Sequence, residues 1–119
     1  MKYILTIALF TTLLSSNLAL NTVIVVLSSE DFKTQIENKK VQLIDVRTPK
    51  EYKSSNINGA KNIDFYSKNF NEEFNKLKKD KAVYIYCRSG SRSRKASHKL
   101  VAMGFTEIYD LKGGISNYK

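Results

Sequence analysis

The stretch YIYCRSGSRSR, residues 84–94, decides how this chain is read. Within one residue it passes from aromatic and β-branched side chains to glycine, serines and arginines. The residue at the junction, Cys87, is the sole cysteine of the sequence. Three of the four arginines follow it within seven positions, although lysine supplies nearly all the other positive charge. The run AVYIY (82–86) is short, apolar and rich in β-formers, which predicts a buried strand. From about Ser91 to Met103 the pattern becomes helical, with Ala96, Leu100 and Met103 sharing one face. Lys95, His98 and Lys99 lie away from that face, and Gly104 ends the helix in the usual C-terminal manner.

A strand, a tight Gly/Ser loop and a helix N-terminus together make an anion-binding arrangement. Successive backbone N–H groups can converge, and the helix dipole adds partial positive charge. Gly90 permits the backbone angles that a curled loop needs. With a cysteine at the start of the loop, the captured anion is its own thiolate, the nucleophilic form of the group. Arg88 and Arg92 add permanent charge, and their planar forks match oxyanions in a way that lysine does not. The spacing from Cys87 to Arg92 is C-x4-R. Cysteine phosphatases use C-x5-R, and position 93, where their arginine would fall, is serine.

The other segments suit one parallel α/β domain. TVIVVLSSEDF opens with a short β-branched run, after which Ser28 or Ser29 can cap a helix carrying Glu30, Asp31, Phe32 and Ile36. VQLIDV (41–46) reads as a buried strand. Pro49 fits a first helical position, with Glu51 and Tyr52 following. Arg47 and Glu51, four apart, are spaced to pair. SSNINGAKNI (54–63) is a turn-rich connection. KNFNEEFNKL (68–77) is helical, with Phe70, Phe74 and Leu77 on one face, and EIYDL (107–111) is the last strand. Strands alternating with helices imply a parallel sheet covered on both faces, with its site beyond the carboxyl ends of the strands. Cys87 is the first residue beyond one such end.

The composition is that of a single globular domain, with 42% hydrophobic and 26% charged residues in 119. The net charge of +9 comes mostly from lysines interleaved with acids, a solvated surface rather than a nucleic-acid groove. Residues 1–19, MKYILTIALFTTLLSSNLA, have a basic start, a short apolar core and a small-residue end. This is the layout of a secretory signal, with the domain occupying 20–119 and the protein periplasmic or secreted. The core is too short to span a bilayer, so membrane association requires the segment to stay uncleaved. One histidine and one cysteine supply too few ligands for a metal, and no cofactor is expected. His98 is placed on the polar face, away from any position at the thiol.

These segments together resemble the rhodanese family of sulfurtransferases, in its small single-domain form. The resemblance rests on LIDVRTPKEY (43–52), NGAKNI (58–63), YCRSGSRS (86–93), MGF (103–105) and LKGGISNY (111–118), in the family's order. It implies a rhodanese-like α/β fold, a five-stranded parallel sheet with helices on both faces. It also implies a catalytic cysteine that carries a persulfide in a six-residue loop, here Cys87, Arg88, Ser89, Gly90, Ser91 and Arg92, and a structural role for Asp45 and Arg47. Some positions depart from the family pattern. Ser55 and Asn56 stand where Gly-His is frequent, Asn58 where proline is common, and Tyr118 where tryptophan is frequent. Asn58 suits left-handed turn geometry, and the short C-terminus truncates the final helix.

The expected activity is transfer of sulfane sulfur from a small anionic donor such as thiosulfate to cyanide, a thiol or a sulfur-acceptor protein, by ping-pong chemistry. A persulfide carrier serving one protein, or a non-catalytic binding module, would share the fold. A phosphatase or arsenate reductase calls for a longer loop, and a reductase for a resolving cysteine.

Overall fold

The structure is a computed structural model that describes residues 22–119. The export-signal reading of residues 1–19 lies outside the described residues.

Five strands, β1 (Val23–Leu27), β2 (Gln42–Asp45), β3 (Lys61–Asn62), β4 (Val83–Tyr86) and β5 (Glu107–Leu111), form one sheet in the order β1-β5-β4-β2-β3. Every pairing is parallel. The helices are α1 (Ser29–Ile36), α2 (Pro49–Ser54), α3 (Phe70–Phe74) and α4 (Ser91–Ala102), followed by a 3-10 turn at Ile115–Asn117. The expected five-stranded parallel sheet with helices on both faces is the one observed.

Side-chain alternation along the strands sorts the core into two layers. Val83, Ile85 and Cys87 pack with Phe70 and Phe74 of α3 and with Ala96 and Leu100 of α4. Tyr84 and Tyr86 point the other way, to Phe32 and Ile36 of α1 and to Ile57. On β5 the same alternation puts Ile108 in the α4 layer. Asp110, two residues on, shares that face and lies beside Ile85 in the register. Cys87 and Asp110 are thus on neighbouring strands, beneath the start of α4.

The helix ends follow from short-range chemistry. Ser28 caps α1, its hydroxyl accepting the N–H of Asp31 at 3.2 Å. Pro49 is the first residue of α2, and Thr48 and Glu51 satisfy each other's backbone as a reciprocal cap. Gly104, at φ +98°, turns the chain away after α4. Met103 lies just outside that helix as its C-cap.

Three local expectations are corrected. The connection at 54–63 contains strand β3, only two residues long, in which Lys61 and Asn62 show no apolar run to betray it. In the same connection Gly59 takes the left-handed angle, φ +89°, and Asn58 does not. Arg47 does not pair with Glu51. It turns back to Asp45, with Nη2 donating to Oδ2 at 2.7 Å and Nε donating to Oδ1 at 3.0 Å.

The Asp45–Arg47 pair is buried, with side-chain exposures of 0% and 5%. Arg47 also donates to the Ser55 carbonyl at 2.6 Å and lies over the ring of Tyr86, whose hydroxyl accepts the Ile57 N–H at 3.0 Å. One cation therefore ties the end of β2 to the 54–57 connection and to the last residue before Cys87. Removing one partner strands a buried charge, which costs about 3–5 kcal/mol. Asp45→Asn should lower the unfolding free energy by roughly 3 kcal/mol in a denaturant titration. An unchanged midpoint would mean that the pair is not a structural tie.

Candidate active site

Cys87 follows β4 directly and is only 1% exposed. Its sulfur accepts the Gly90 N–H at 3.1 Å. The thiol donates to Ser93 Oγ at 3.4 Å, and that hydroxyl donates to the Gly90 carbonyl at 3.2 Å. The loop closes on itself through the sulfur. This closure depends on Gly90, whose φ of +112° is a conformation that residues with a Cβ rarely adopt. Helix α4 starts at Ser91, so the N–H groups of its first turn have no carbonyl one turn back to meet them. They face the same end of the sheet as the thiol, which is where an anionic sulfur is best held.

The loop residues singled out in the sequence do not share one role. Ser89 and Ser91 are exposed, and so is Arg88, which makes no ion pair among the described residues. Arg88 borders a shallow depression of about 410 Å³ with Arg47, Glu51, Ser54 and Ser116. Arg92 turns instead to α2. Its Nη1 donates to Glu51 Oε1 at 2.7 Å and its Nη2 to Oε2 at 3.0 Å. This fork-to-fork pairing is the geometry that arginine provides and lysine cannot. The Arg92 bonds hold the Glu51 carboxyl down to about 2, against the opposing effect of burial and with help from Thr48. The bridge is complete above the ordinary carboxylate range and is lost only as pH falls through about 2.

The C-terminal segment fastens the loop from its other side. The Ile115 N–H donates to the Cys87 carbonyl at 2.9 Å, and the Ser116 N–H to the Arg88 carbonyl at 3.1 Å. Gly114, at φ +65°, lies so close to the Arg88 carbonyl that a Cβ there would also fall 2.6 Å from Ser89 N. Tyr118 closes this edge by packing edge-on against Phe32, ring centroids 6.4 Å apart. Ile115–Asn117 form a single 3-10 turn.

Behind the loop lies a cleft of about 750 Å³, between the start of α4, the end of β5 and the β1 edge. Arg94, Lys95, His98 and Lys112 stand around it, and His98 makes no contact with the thiol. Asp110 forms part of its wall. The residue is 4% exposed, and its Oδ1 is buried without a hydrogen-bond partner. Burial pushes this carboxyl up to about 6, while Ser93 and Arg94 draw it partly back.

Glu51 as the partner of Arg92, Ser93, Gly114 and Asp110 were not singled out in the sequence. Thr48 and Glu51, at capping-box spacing, carried a signal, but only for the helix end. For Asp110 the signal was an acid on the inward-facing positions of EIYDL.

Comparison with known proteins agrees with the geometry. A family model described as the rhodanese-like domain matches residues 28–119, and the chain belongs to that family. The chain is 40% identical over 92 residues to the uncharacterized protein YqhL of Bacillus subtilis (strain 168), covering 77% of this chain and 70% of that one. It is also 39% identical over 84 residues to the tRNA uridine(34) hydroxylase of Pelagibacter ubique (strain HTCC1062). That match covers 70% of this chain but only 28% of the hydroxylase. Among solved structures, the crystal structure of a rhodanese-like domain protein from Staphylococcus aureus aligns with a TM-score of 0.70 and 29% identity. It covers 80% of this chain and 91% of that one.

The close approach at Gly114 gives a paired test. Gly114→Ala forces the Arg88–Ser89 backbone to move, and a misplacement of about 1 Å near a reacting atom can cost about 100-fold in rate. Gly59 also has a positive φ, but a Cβ there meets nothing within 4 Å. Gly59→Ala should therefore carry only local strain and keep the reactivity of Cys87. Equal losses in the two variants would show that the contact with the loop is unimportant.

Proposed function

We propose that this protein is a sulfurtransferase that carries sulfane sulfur as a persulfide on Cys87, with residues 1–19 directing its export. The observation that carries the proposal is the seat of the thiol at a strand end. The Gly90 N–H is on the sulfur, and α4 starts at the next residue, Ser91.

In this reading the Cys87 thiolate attacks the outer sulfur of thiosulfate or a similar small anionic donor. A bond forms between the two sulfurs, and the donor's own S–S bond breaks with its electron pair leaving on sulfite. The negative charge remains on the terminal persulfide sulfur, where loop N–H groups can receive it. A thiolate or cyanide acceptor then attacks that sulfur, and the bonding pair returns to Cys87. No net oxidation and no cofactor is needed. Arg88, exposed at the rim, supplies the charge that draws an anionic donor. Arg92, committed to Glu51, shapes the loop.

Loop length sets this reading apart from phosphate chemistry. A cysteine-bound phosphate has three outer oxygens to satisfy, which calls for a wider cradle than six residues provide. Purified protein should turn thiosulfate and cyanide into thiocyanate and sulfite, and should leave aryl phosphates essentially untouched. Cys87→Ser, nearly isosteric but unable to form a persulfide, should lose the sulfur transfer and keep its fold by circular dichroism. Transfer that persists in Cys87→Ser, or phosphate ester hydrolysis faster than thiosulfate consumption, contradicts the proposal.

A further inference from the structure

The sheet ends on one side at β1, and that edge is unguarded. Among the described residues β1 pairs only with β5. The Val23 N–H donates to the Thr106 carbonyl at 3.0 Å, and the Leu27 carbonyl accepts the Lys112 N–H at 2.8 Å. Backbone groups alternate in direction along a strand, so the N–H and C=O of Ile24 and Val26 point to the open side. Edge strands are ordinarily blunted by lysine, proline, a bulge or a covering helix. The β1 sequence, VIVVL, has neither lysine nor proline, and its register with β5 is unbroken. Helix α4 packs over β4 and β5, and Val26 is left 58% exposed.

The charge beside this edge selects what fits it. Ile24 and Val26 form the apolar wall of the cleft of about 750 Å³, and Ser89, Gly90 and Ser91 of the loop after Cys87 line the same cleft. Its exposed cations are Arg94, Lys95 and Lys112, none of which is in an ion pair among the described residues. The one carboxylate of the lining, Asp110, is buried. A second copy of the chain would bring a second set of the same cations to the edge, which disfavours pairing of β1 with β1. The lining has no phenylalanine, tyrosine or tryptophan on which a base can stack, which disfavours a nucleic acid strand. An acidic polypeptide answers both the cations and the open backbone.

We propose that β1 and the adjoining cleft are a docking surface for a partner protein that adds an extended, acidic strand to the sheet edge. A strand as long as β1, five residues, spans about 17 Å. Because the sheet is parallel, Leu27 and Cys87 lie at the same end, and the docked strand reaches the loop there. Its side chains alternate between two faces. On the α4 face they meet Arg94, Lys95 and Lys112, where acids belong. On the other face they meet Val23 and Val25, where apolar residues belong. Resting on the reading of Cys87 as a sulfur carrier, this partner is the sulfur acceptor, because its strand ends beside the loop that holds the sulfur.

The test uses the full chain labelled with nitrogen-15 and a blocked synthetic peptide in which glutamate and valine alternate. The peptide should shift the amide signals of Ile24 and Val26 and slow their exchange with solvent. A peptide with lysine in place of glutamate should do neither. Arg94→Gln, Lys95→Gln and Lys112→Gln together should weaken binding about tenfold. Val26→Pro, which removes an outward N–H, should abolish it. Where that proline disturbs the fold, the glutamine variant decides. Absence of shifts at Ile24 and Val26, equal binding of the two peptides, or larger shifts of the same amides with oligouridine each overturn the proposal. So does slow exchange of these two amides in the free chain, because the edge is then already filled by its own chain or by a second copy. None of these measurements needs a sulfur donor. A chain that takes no sulfur from thiosulfate would end the sulfurtransferase reading and leave the docking surface standing. In protein loaded with sulfur, a glutamate peptide ending in cysteine should take up that sulfur faster than its lysine counterpart. Equal rates overturn the partner's role as acceptor.

Discussion

A single sulfur atom has to be enclosed by a loop of six residues, and most of the structure follows from that constraint. The loop cannot close without a left-handed residue, and Gly90 supplies it at φ +112°. It cannot stay closed without support, because a short Gly/Ser segment has little side chain to pack. Support comes from two distant parts of the chain. Arg92 at its end is held by Glu51 of α2, and the carbonyls at its start are held by the backbone of Ile115 and Ser116. The parallel sheet brings these segments to one end, and β4, central in the order, delivers Cys87 to the middle of it.

Electrostatics divides the arginines by role. Arg47 is consumed by Asp45 inside the protein, where it joins β2 to the connection that follows α2. Arg92 is consumed by Glu51, and only Arg88 of these three remains exposed beside the loop. An arginine fork engaged at both prongs is a strut as much as a charge. The cluster of arginines after Cys87 is therefore divided, Arg92 fixing the backbone and Arg88 staying exposed beside the loop. Asp110 belongs to neither pair. It is a buried carboxylate whose Oδ1 goes unsatisfied among the described residues.

Much of this could be read from the chain because the signals were local. The apolar run ending at Tyr86, the glycine at 90 and the helical pattern after Ser91 each announce themselves within a few residues. Pro49 and Ser28 announce helix starts in the same way. What escaped was long-range or short. Strand β3 is two polar residues that become a strand only because β2 offers its edge. The choice between Asp45 and Glu51 as the partner of Arg47 depends on where α2 points, which spacing along one helix does not encode. The bond from Arg92 to Glu51 spans 41 positions. Asp110 was visible as an acid on the last strand, but that it shares a face of the sheet with Cys87 emerges only from the strand register.

The central claim is that the enclosed thiolate accepts one sulfur atom and gives it up again. Intact mass spectrometry of the protein after brief exposure to thiosulfate tests this most directly. The mass should rise by one sulfur atom, on the peptide containing Cys87, and return to its starting value when cyanide is added. A protein whose mass is unchanged by thiosulfate, or an added sulfur that also appears in Cys87→Ser, would contradict it.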